Sequence, residues 1–505
     1  MIVLLFIIVV LCSVLYLNHR RRYKFADSLP GLKPVYPILG NGDIMLGKSD
    51  VQRFDTMVKI CRNNDRLVKV WAGPRLLLFT CHPDLIQQIL SNPDCSEKPF
   101  LYKFAGFEQG LFTAKHKLWR VTRKRLNSCF NQRILHGFIP TFVTCARRMA
   151  EKLNELPDGA TVNIHKYTSL CTLEMACGTT LGSTILQRKE DKEQFVKGLD
   201  VAFNGAARRM VSVHLYLDFV YRFTKYYSEI MQARKVVCDF FNELISERKN
   251  FLDSDRQNNN SDTADNHKPK RLIDELLSVS EDGKTFSETQ IIDNIYAVVT
   301  GANDTSGLLI AHACLFLCFH KDIQEKLFQE ITEHLPGEEI DINPDTLKQL
   351  EYLEMFLKEC LRHCPVAPNV ARENMAELQI DGVKVPAGNI FVMNFYALHR
   401  RKDVWGPDAE AFDPLNFSEA RSKDRHPFAY LPFSGGSRIC IGWRYAMFSM
   451  KIMLIYLIRN FKFDTKIRRE EVRYRHDLTM KLPFDHMVQV HKRITAKERL
   501  SQSYV

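Results

Sequence analysis

A chain of 505 residues, 45% hydrophobic and 26% charged, has ample apolar material for a deep core, which excludes a disordered or fibrous protein. Its formal net charge of +11 suits an acidic partner surface, and because no nucleic-acid motif accompanies it, nucleic acid is not an expected partner. The 14 cysteines are scattered without a Cys-x-x-Cys pair; Cys314 with Cys318 and Cys360 with Cys364 read as buried thiols in a reducing compartment, since no histidine spacing completes a zinc site.

Met1 to Leu17 is almost wholly apolar and runs straight into Asn18, His19, Arg20, Arg21, Arg22, Tyr23 and Lys24. A cleaved signal peptide would carry its charge before the apolar run and small residues after it, so a single N-terminal transmembrane helix is expected instead. Cations just beyond a span hold the following chain in the cytosol. Leu29 to Pro37, with prolines at 30, 34 and 37, forms a stiff linker that does not favour helix. The predicted organisation is a membrane anchor at 1–17, a basic stop-transfer and proline hinge at 18–44, one catalytic domain at 45–495 and a tail at 496–505. The sequons at Asn259, Asn303 and Asn416 should go unglycosylated in this orientation.

Lys115 to Arg125 is strongly basic, and Leu252 to Lys270 is polar enough to read as a mobile surface loop. Strand-like pieces at Leu67–Phe79, Leu378–Val385 and Leu478–Val490 are too few for a barrel or doubly wound sheet, so the fold class is mainly α with small β-sheets. A helix from about Glu288 to Phe319 would be roughly 48 Å long. Its middle, Thr300-Gly301-Ala302-Asn303-Asp304-Thr305-Ser306-Gly307, sets poor helix formers into an apolar run, and such a local violation marks function. A second membrane span is disfavoured by Asp293 and Asp304, which would be costly at bilayer depth. Glu359 and Arg362 lie three apart on one helix face and can pair.

The most informative stretch is Phe433-Ser434-Gly435-Gly436-Ser437-Arg438-Ile439-Cys440-Ile441-Gly442. Gly435, Gly436 and Gly442 free the backbone around Cys440 for positive φ and for close approach of a flat macrocycle. Arg438 and the N–H groups of a helix starting near Ile441 would favour the thiolate, the metal-binding form of cysteine. A charged axial sulfur pushes electron density onto haem iron and favours O–O cleavage.

The spacing of Phe433, Gly436, Arg438, Cys440 and Gly442 resembles the cysteine-loop signature of the cytochromes P-450, and the resemblance extends over nearly the whole chain. It implies the cytochrome P-450 fold, with Cys440 as the axial ligand of haem b (iron protoporphyrin IX). Asp304 and Thr305 match the family's acid and alcohol, which relay protons to iron-bound oxygen, although Ala302 stands where glycine is usual. Trp119 and Arg123 match its Trp-x-x-x-Arg helix, and Arg372 and Arg438 its other propionate-facing positions. Glu359 and Arg362 match its scaffold pair; the usual third partner, arginine in Pro-x-Arg-Phe, is replaced by Asn416 in Pro414-Leu415-Asn416-Phe417. Some members join haem to a helix glutamate, but Gly301 stands there, so attachment should be non-covalent.

The resemblance further implies a monooxygenase on the endoplasmic reticulum membrane, its catalytic domain facing the cytosol, that oxidises a lipophilic substrate. Electrons would come from NADPH through a cytochrome reductase docked on the basic Lys115–Arg125 face, with cytochrome b5 as a further partner. Phe104, Phe107, Leu111, Val366, Ala367, Val370 and Leu482 to Phe484 match pocket walls in position. His426 to Phe433 looks most like the animal branch that includes fatty-acid ω-hydroxylases, especially its insect members. A haem-thiolate isomerase or dehydratase, which needs no reductase, and a non-catalytic membrane haem sensor are the alternatives.

Overall fold

The structure, a computed structural model, describes residues 2–36, 39–182, 189–258, 271–278, 283, 285–337 and 339–493. Helix α1 (Ile2–Tyr23) carries the apolar run and Arg20 to Arg22 as one continuous element. Val14, Tyr16 and Leu17 on it are exposed. The linker that follows is not helical. Asn41 ties it down, donating through Nδ2 to the carbonyls of Leu32 (3.2 Å) and Pro34 (2.8 Å) while its Oδ1 accepts from the Trp71 amide (2.8 Å).

Among the described residues the strands form three small sheets. β1 (Val68–Ala72) and β2 (Arg75–Thr80) make a hairpin that joins β7 (Ile390–Asn394) and β4 (Asn369–Glu373) in the order β1-β2-β7-β4, with β2 and β7 parallel. β3 (Ala160–Asn163), β9 (Met487–Lys492) and β8 (Phe461–Asp464) make the second, and β5 (Leu378–Ile380) pairs with β6 (Val383–Val385). Two of the three expected strand regions are hairpins. The third is strand only from Met487, because Thr479, Lys481 and His486 turn their polar groups onto the central helix rather than into a ladder. β7 was not legible as a strand: all five of its residues are buried, so it lacks alternation. The expected loop from Leu252 begins as helix, since Lys225–Asn258 is helical throughout; residues 259–270, with the Asn259 sequon, lie outside the described residues.

The remaining helices used below are α2 (His116–Leu126), α3 (Gln132–Asn154), α4 (Ile164–Ala176), α5 (Glu288–Phe319), α6 (Glu351–His363) and α7 (Trp443–Asn460). α5 has the expected bounds and starts at a capping box of Ser287 and Gln290. Among the described residues it is the one helix long and apolar enough to cross a membrane, yet it lies mostly buried inside the protein.

Where α4 crosses α5, Gly307 is required. A Cβ there would come within 2.9 Å of Ser169 Cα and Thr172 Oγ1. The hydroxyls of Thr168 and Thr172 donate to the carbonyls of Gly307 (2.7 Å) and Asn303 (3.1 Å), and Asn303 Nδ2 donates to the Ser169 carbonyl (2.5 Å). Two of the eight residues at Thr300–Gly307, Asn303 and Gly307, therefore serve a packing seam. Asn303 is buried in this seam and its sequon is unreachable.

Candidate functional site

The Cys440 loop is built by one glycine rather than three. Gly436 has φ +67°, and a Cβ on it would collide with the Leu90 carbonyl. Gly435 is extended (φ −151°) and Gly442 has φ −92°; the second left-handed residue of the loop is Ser434, at φ +61°. The Cys440 amide donates to the Phe433 carbonyl at 3.0 Å and closes the turn. α7 starts at Trp443, two residues later than expected, and its approach turns the Gly442 N–H to the Cys440 sulfur. Burial pushes the thiol up, while that N–H and the Arg123 cation pull it down.

Cys440 opens into a cavity of about 460 Å³. Phe433, Trp119, Arg123, Arg372 and Arg438 line it, as do Gly301, Ala302, Thr305 and Ser306 of α5. Residues scattered over more than 300 positions thus share one space.

Arg438 is buried. Its Nε and Nη2 donate to the carbonyls of Ser96 (3.0 Å) and Ala114 (2.9 Å), its Nη1 is buried without a partner, and its guanidinium lies 4.2 Å over the Trp119 ring. Burial, then the charge of Arg372, lowers its pKa to about 9. Arg372 is also buried and donates to the Ala371 carbonyl (2.9 Å) and Ser434 Oγ (3.4 Å).

A third cation escaped sequence reasoning. Lys98, in Ser96-Glu97-Lys98-Pro99, is buried on the cavity wall with Nζ 3.9 Å from the Tyr102 ring. Burial and the repulsion of Arg372 and Arg438 hold its pKa well below the usual lysine value. Nothing around it in the sequence distinguishes it from a surface lysine. Among the described residues no carboxylate forms an ion pair with Lys98, Arg372 or Arg438. Two buried guanidinium groups, a buried lysine and one orphaned N–H, none of them in an ion pair among the described residues, are the setting that a flat dianionic group with two carboxylates would satisfy. Haem meets that description, and the residues present fit it. Arg123 plays a second part, donating to the Ile439 carbonyl (2.8 Å) and so tying α2 to the cysteine loop.

The acid and the alcohol of α5 diverge. Thr305 lines the cavity, its hydroxyl donating to the Gly301 carbonyl at 2.6 Å, and neighbouring Ser306 carries a buried hydroxyl with no partner. Asp304 is not on the cavity wall. Its carboxylate accepts from Thr479 Oγ1 (2.9 Å) and pairs with Lys481 Nζ (3.3 Å), which also reaches Asp200 at 2.8 Å.

Of the expected apolar walls, Leu111, Val366, Ala367 and Val370 line the cavity. Phe104, Phe107, Leu482 and Phe484 do not: Phe107 stacks on Tyr296 with centroids 3.6 Å apart, and Phe104 packs among Phe100 and Tyr216. From the C-terminal segment His476, Asp477 and Leu478 reach the cavity.

Glu359 and Arg362 are fully buried and pair through two bonds of 2.7 Å. This interaction lowers the pKa of Glu359 to about 2 against its burial. Arg362 also donates to the carbonyls of His399, Ala409 and Ala411, and Asn416 Nδ2 reaches Glu359 at 3.2 Å. Behind the cysteine loop a second cleft of about 530 Å³ is lined by Phe433, Ile439, Trp443, Arg444 and Lys358, among others.

The chain is matched over residues 30–487 by the family model for cytochrome P450. It is 28% identical to cytochrome P450 4c21 of Blattella germanica, over 92% of this chain and 93% of that protein. It is 30% identical to cytochrome P450 4c3 of Drosophila melanogaster, over 91% of this chain and 88% of that protein, and 28% identical to human cytochrome P450 4V2, over 90% and 88%. With a mainly helical fold, small sheets and a cavity suited to haem, the chain belongs to the cytochrome P450 family of haem monooxygenases, in the animal branch that these insect and mammalian relatives represent.

Proposed function

We propose that Cys440 is the axial thiolate of a non-covalently held haem b, and that the enzyme inserts one oxygen atom of O2 into a lipophilic substrate with electrons passed from NADPH by a separate reductase. The observation that carries this reading is the single cavity shared by Cys440, Lys98, Arg372, Arg438 and Thr305. A thiolate-ligated haem supplies O–O cleavage because the charged sulfur pushes electron density onto iron.

The chain's own residues do the rest. Lys98, Arg372, Arg438 and Trp119, with Arg123 beside them, would hold the carboxylates of the bound group in the cavity that Cys440 shares. Phe433 lines the same cavity as the sulfur. Leu111, Val366, Ala367, Val370 and Leu478 exclude water and accept an apolar substrate. The Thr305 hydroxyl would donate a proton at the cavity wall, and Asp304, turned away from that wall, would resupply it only through water. Because Asp304 is paired with Lys481, and Lys481 with the half-exposed Asp200, the acid has an outlet to solvent away from the substrate.

On this reading the anchor at 1–17 and the hinge at 18–44 would hold the catalytic domain from 45 on the endoplasmic reticulum membrane, facing the cytosol. The exposed apolar side chains of α1 support this, as does a second apolar patch at Leu217, Phe219 and Phe223, of which Phe223 is 81% exposed. Lys117, Arg120 and Lys124 form an exposed basic face on α2, the helix that Arg123 ties to the cysteine loop. That face suits an acidic flavin-domain reductase, and cytochrome b5 would compete for it. Electron-transfer rates should fall as ionic strength rises.

The decisive experiment is a reduced carbon-monoxide difference spectrum of the purified, haem-loaded protein. A thiolate-type band that disappears in Cys440→Ala supports the reading; a histidine-type band overturns it. Product formed without NADPH would move the enzyme to the isomerases, and haem binding with no reductant-dependent turnover would make it a sensor.

A further inference from the structure

The buried carboxylate of Glu359 is shared by more than Arg362. It also accepts from the Asp413 amide (2.8 Å) and from Asn416 Nδ2 (3.2 Å), so the segment 413–416 is hung from α6 by a single negative charge. Asn416 brings a dipole to that charge and no cation. A cation arrives from nine residues further on. The Arg425 guanidinium donates to the Asn416 carbonyl (2.5 Å) and the Arg421 carbonyl (3.2 Å), and lies 4.0 Å over the Trp405 ring. Arg362 approaches the same ring at 4.9 Å.

Two guanidinium groups gathered at one indole repel each other, and a half-buried arginine loses hydration. Both effects depress the Arg425 pKa, and the Glu359 carboxylate opposes them. From Arg425 the chain runs directly toward the cysteine loop. On the way Tyr430 donates to the Lys358 carbonyl (3.0 Å) and the Leu431 amide to His399 Nε2 (2.9 Å), both fastening the strand of chain to α6 and its surroundings.

We propose that Arg425 is a positioning residue that supplies, through Trp405 and the Asn416 backbone, the cation that Asn416 itself does not bring to Glu359, and so fixes the approach of residues 413–433 to Cys440. The proposal rests on the haem-thiolate reading of Cys440. It makes the scaffold of this chain a rerouted one, with the second cation carried by a different residue from the one opposite Glu359.

The test is haem retention and ligation in four versions of the full-length protein. Arg425→Ala should lose at least half of its bound haem per polypeptide, lower Tm by roughly 3 °C or more, and shift part of the remaining haem away from the thiolate-type carbon-monoxide band. Arg425→Lys, which keeps charge but not the planar stack, should fall between that variant and the native protein. Placing the cation opposite Glu359 in Arg425→Ala/Asn416→Arg should restore most of both the haem and the band. If Arg425→Ala fails to fold, recovery of folded, haem-bearing protein in the double variant supports the proposal equally. Native haem content, band and Tm in Arg425→Ala, or no recovery in the double variant, overturns the proposal. If the unmodified protein itself lacks a thiolate-type band, the reading of Cys440 has failed instead, and the two failures are distinct.

Discussion

Asp304 and Lys481 form a buried ion pair, Oδ1 to Nζ at 3.3 Å, that draws the carboxylate off the cavity wall on which its neighbour Thr305 stands. Adjacent positions on a helix are rotated by about 100°, and here that rotation carries Asp304 off the cavity, while Thr305 and Ser306 both line it. Thr305 takes the cavity. Asp304 takes the C-terminal segment, where Thr479 and Lys481 meet it and Asp200 leads to solvent.

Removing Lys481 should be expensive. Lys481→Met leaves the buried carboxylate of Asp304 without its cation, whereas Asp477 keeps Arg475, and unfolding in denaturant should show a loss of about 3 kcal/mol. In Asp304→Asn the same change should cost clearly less, because one stranded charge has gone. Equal costs in the two backgrounds would mean that the pair is not coupled.

Thr305→Ala should divide stability from coupling. Its hydroxyl makes one bond, to the Gly301 carbonyl at 2.6 Å, so the stability change should stay near 1 kcal/mol. NADPH consumed per product formed should rise several-fold, with the excess reductant appearing as peroxide. Full coupling in this variant would sink the relay role of Thr305.

Lys98→Met should move two quantities in opposite directions. A buried lysine without an ion-pair partner destabilises the haem-free chain, so its removal should stabilise the apoprotein by about 1–2 kcal/mol. The same change should weaken haem retention, read as faster transfer of haem to a competing acceptor. If both quantities fell together, Lys98 would be a packing residue only.

Acid should unfold the protein in two stages. His312, His363 and His476 have their pKa lowered from 6.5 to about 4, chiefly by burial, and His399 to about 3. The unfolded chain therefore takes up protons below about 6.5 while the folded chain refuses them, and stability falls as pH drops from 6.5 toward 4. Glu359, lowered from 4.5 to about 2, adds a loss between those values, since only the unfolded carboxyl protonates there. Denaturant midpoints measured from pH 7 to 4.5 should decline, and His476→Gln should flatten the decline. A midpoint independent of pH between 6.5 and 5 would contradict the burial of these imidazoles as neutral groups.

Much of the site was legible before folding was considered. The bounds of α5 and the pairing of Glu359 with Arg362 agree with what spacing suggested, because spacing along a helix sets which side chains share a face. That Phe433, Trp119, Arg123, Arg372 and Arg438 line one cavity with Cys440 could be expected only from the family resemblance, since they lie far apart in the chain. Lys98 was invisible since its meaning lies in two arginines more than 250 residues away. Phe104 and Phe107 were misplaced because an aromatic near a pocket and an aromatic in the core read alike until Tyr296 and Tyr216 take them.

By itself the sequence determined the ligand chemistry: a lone cysteine on a turn that only glycine at position 436 permits, next to an arginine, in a chain whose long helix carries an alcohol at its middle. Only the tertiary structure decided which groups act together. It separated Asp304 from Thr305, gave Asn303 and Gly307 to the crossing with α4, and gathered Lys98, Arg372 and Arg438 into a cluster that makes no ion pair with a carboxylate among the described residues. The physical reason is range: backbone preference and spacing act over a few residues, whereas the cost of burying a charge is set by whatever distant residues the fold brings within a few ångströms of it.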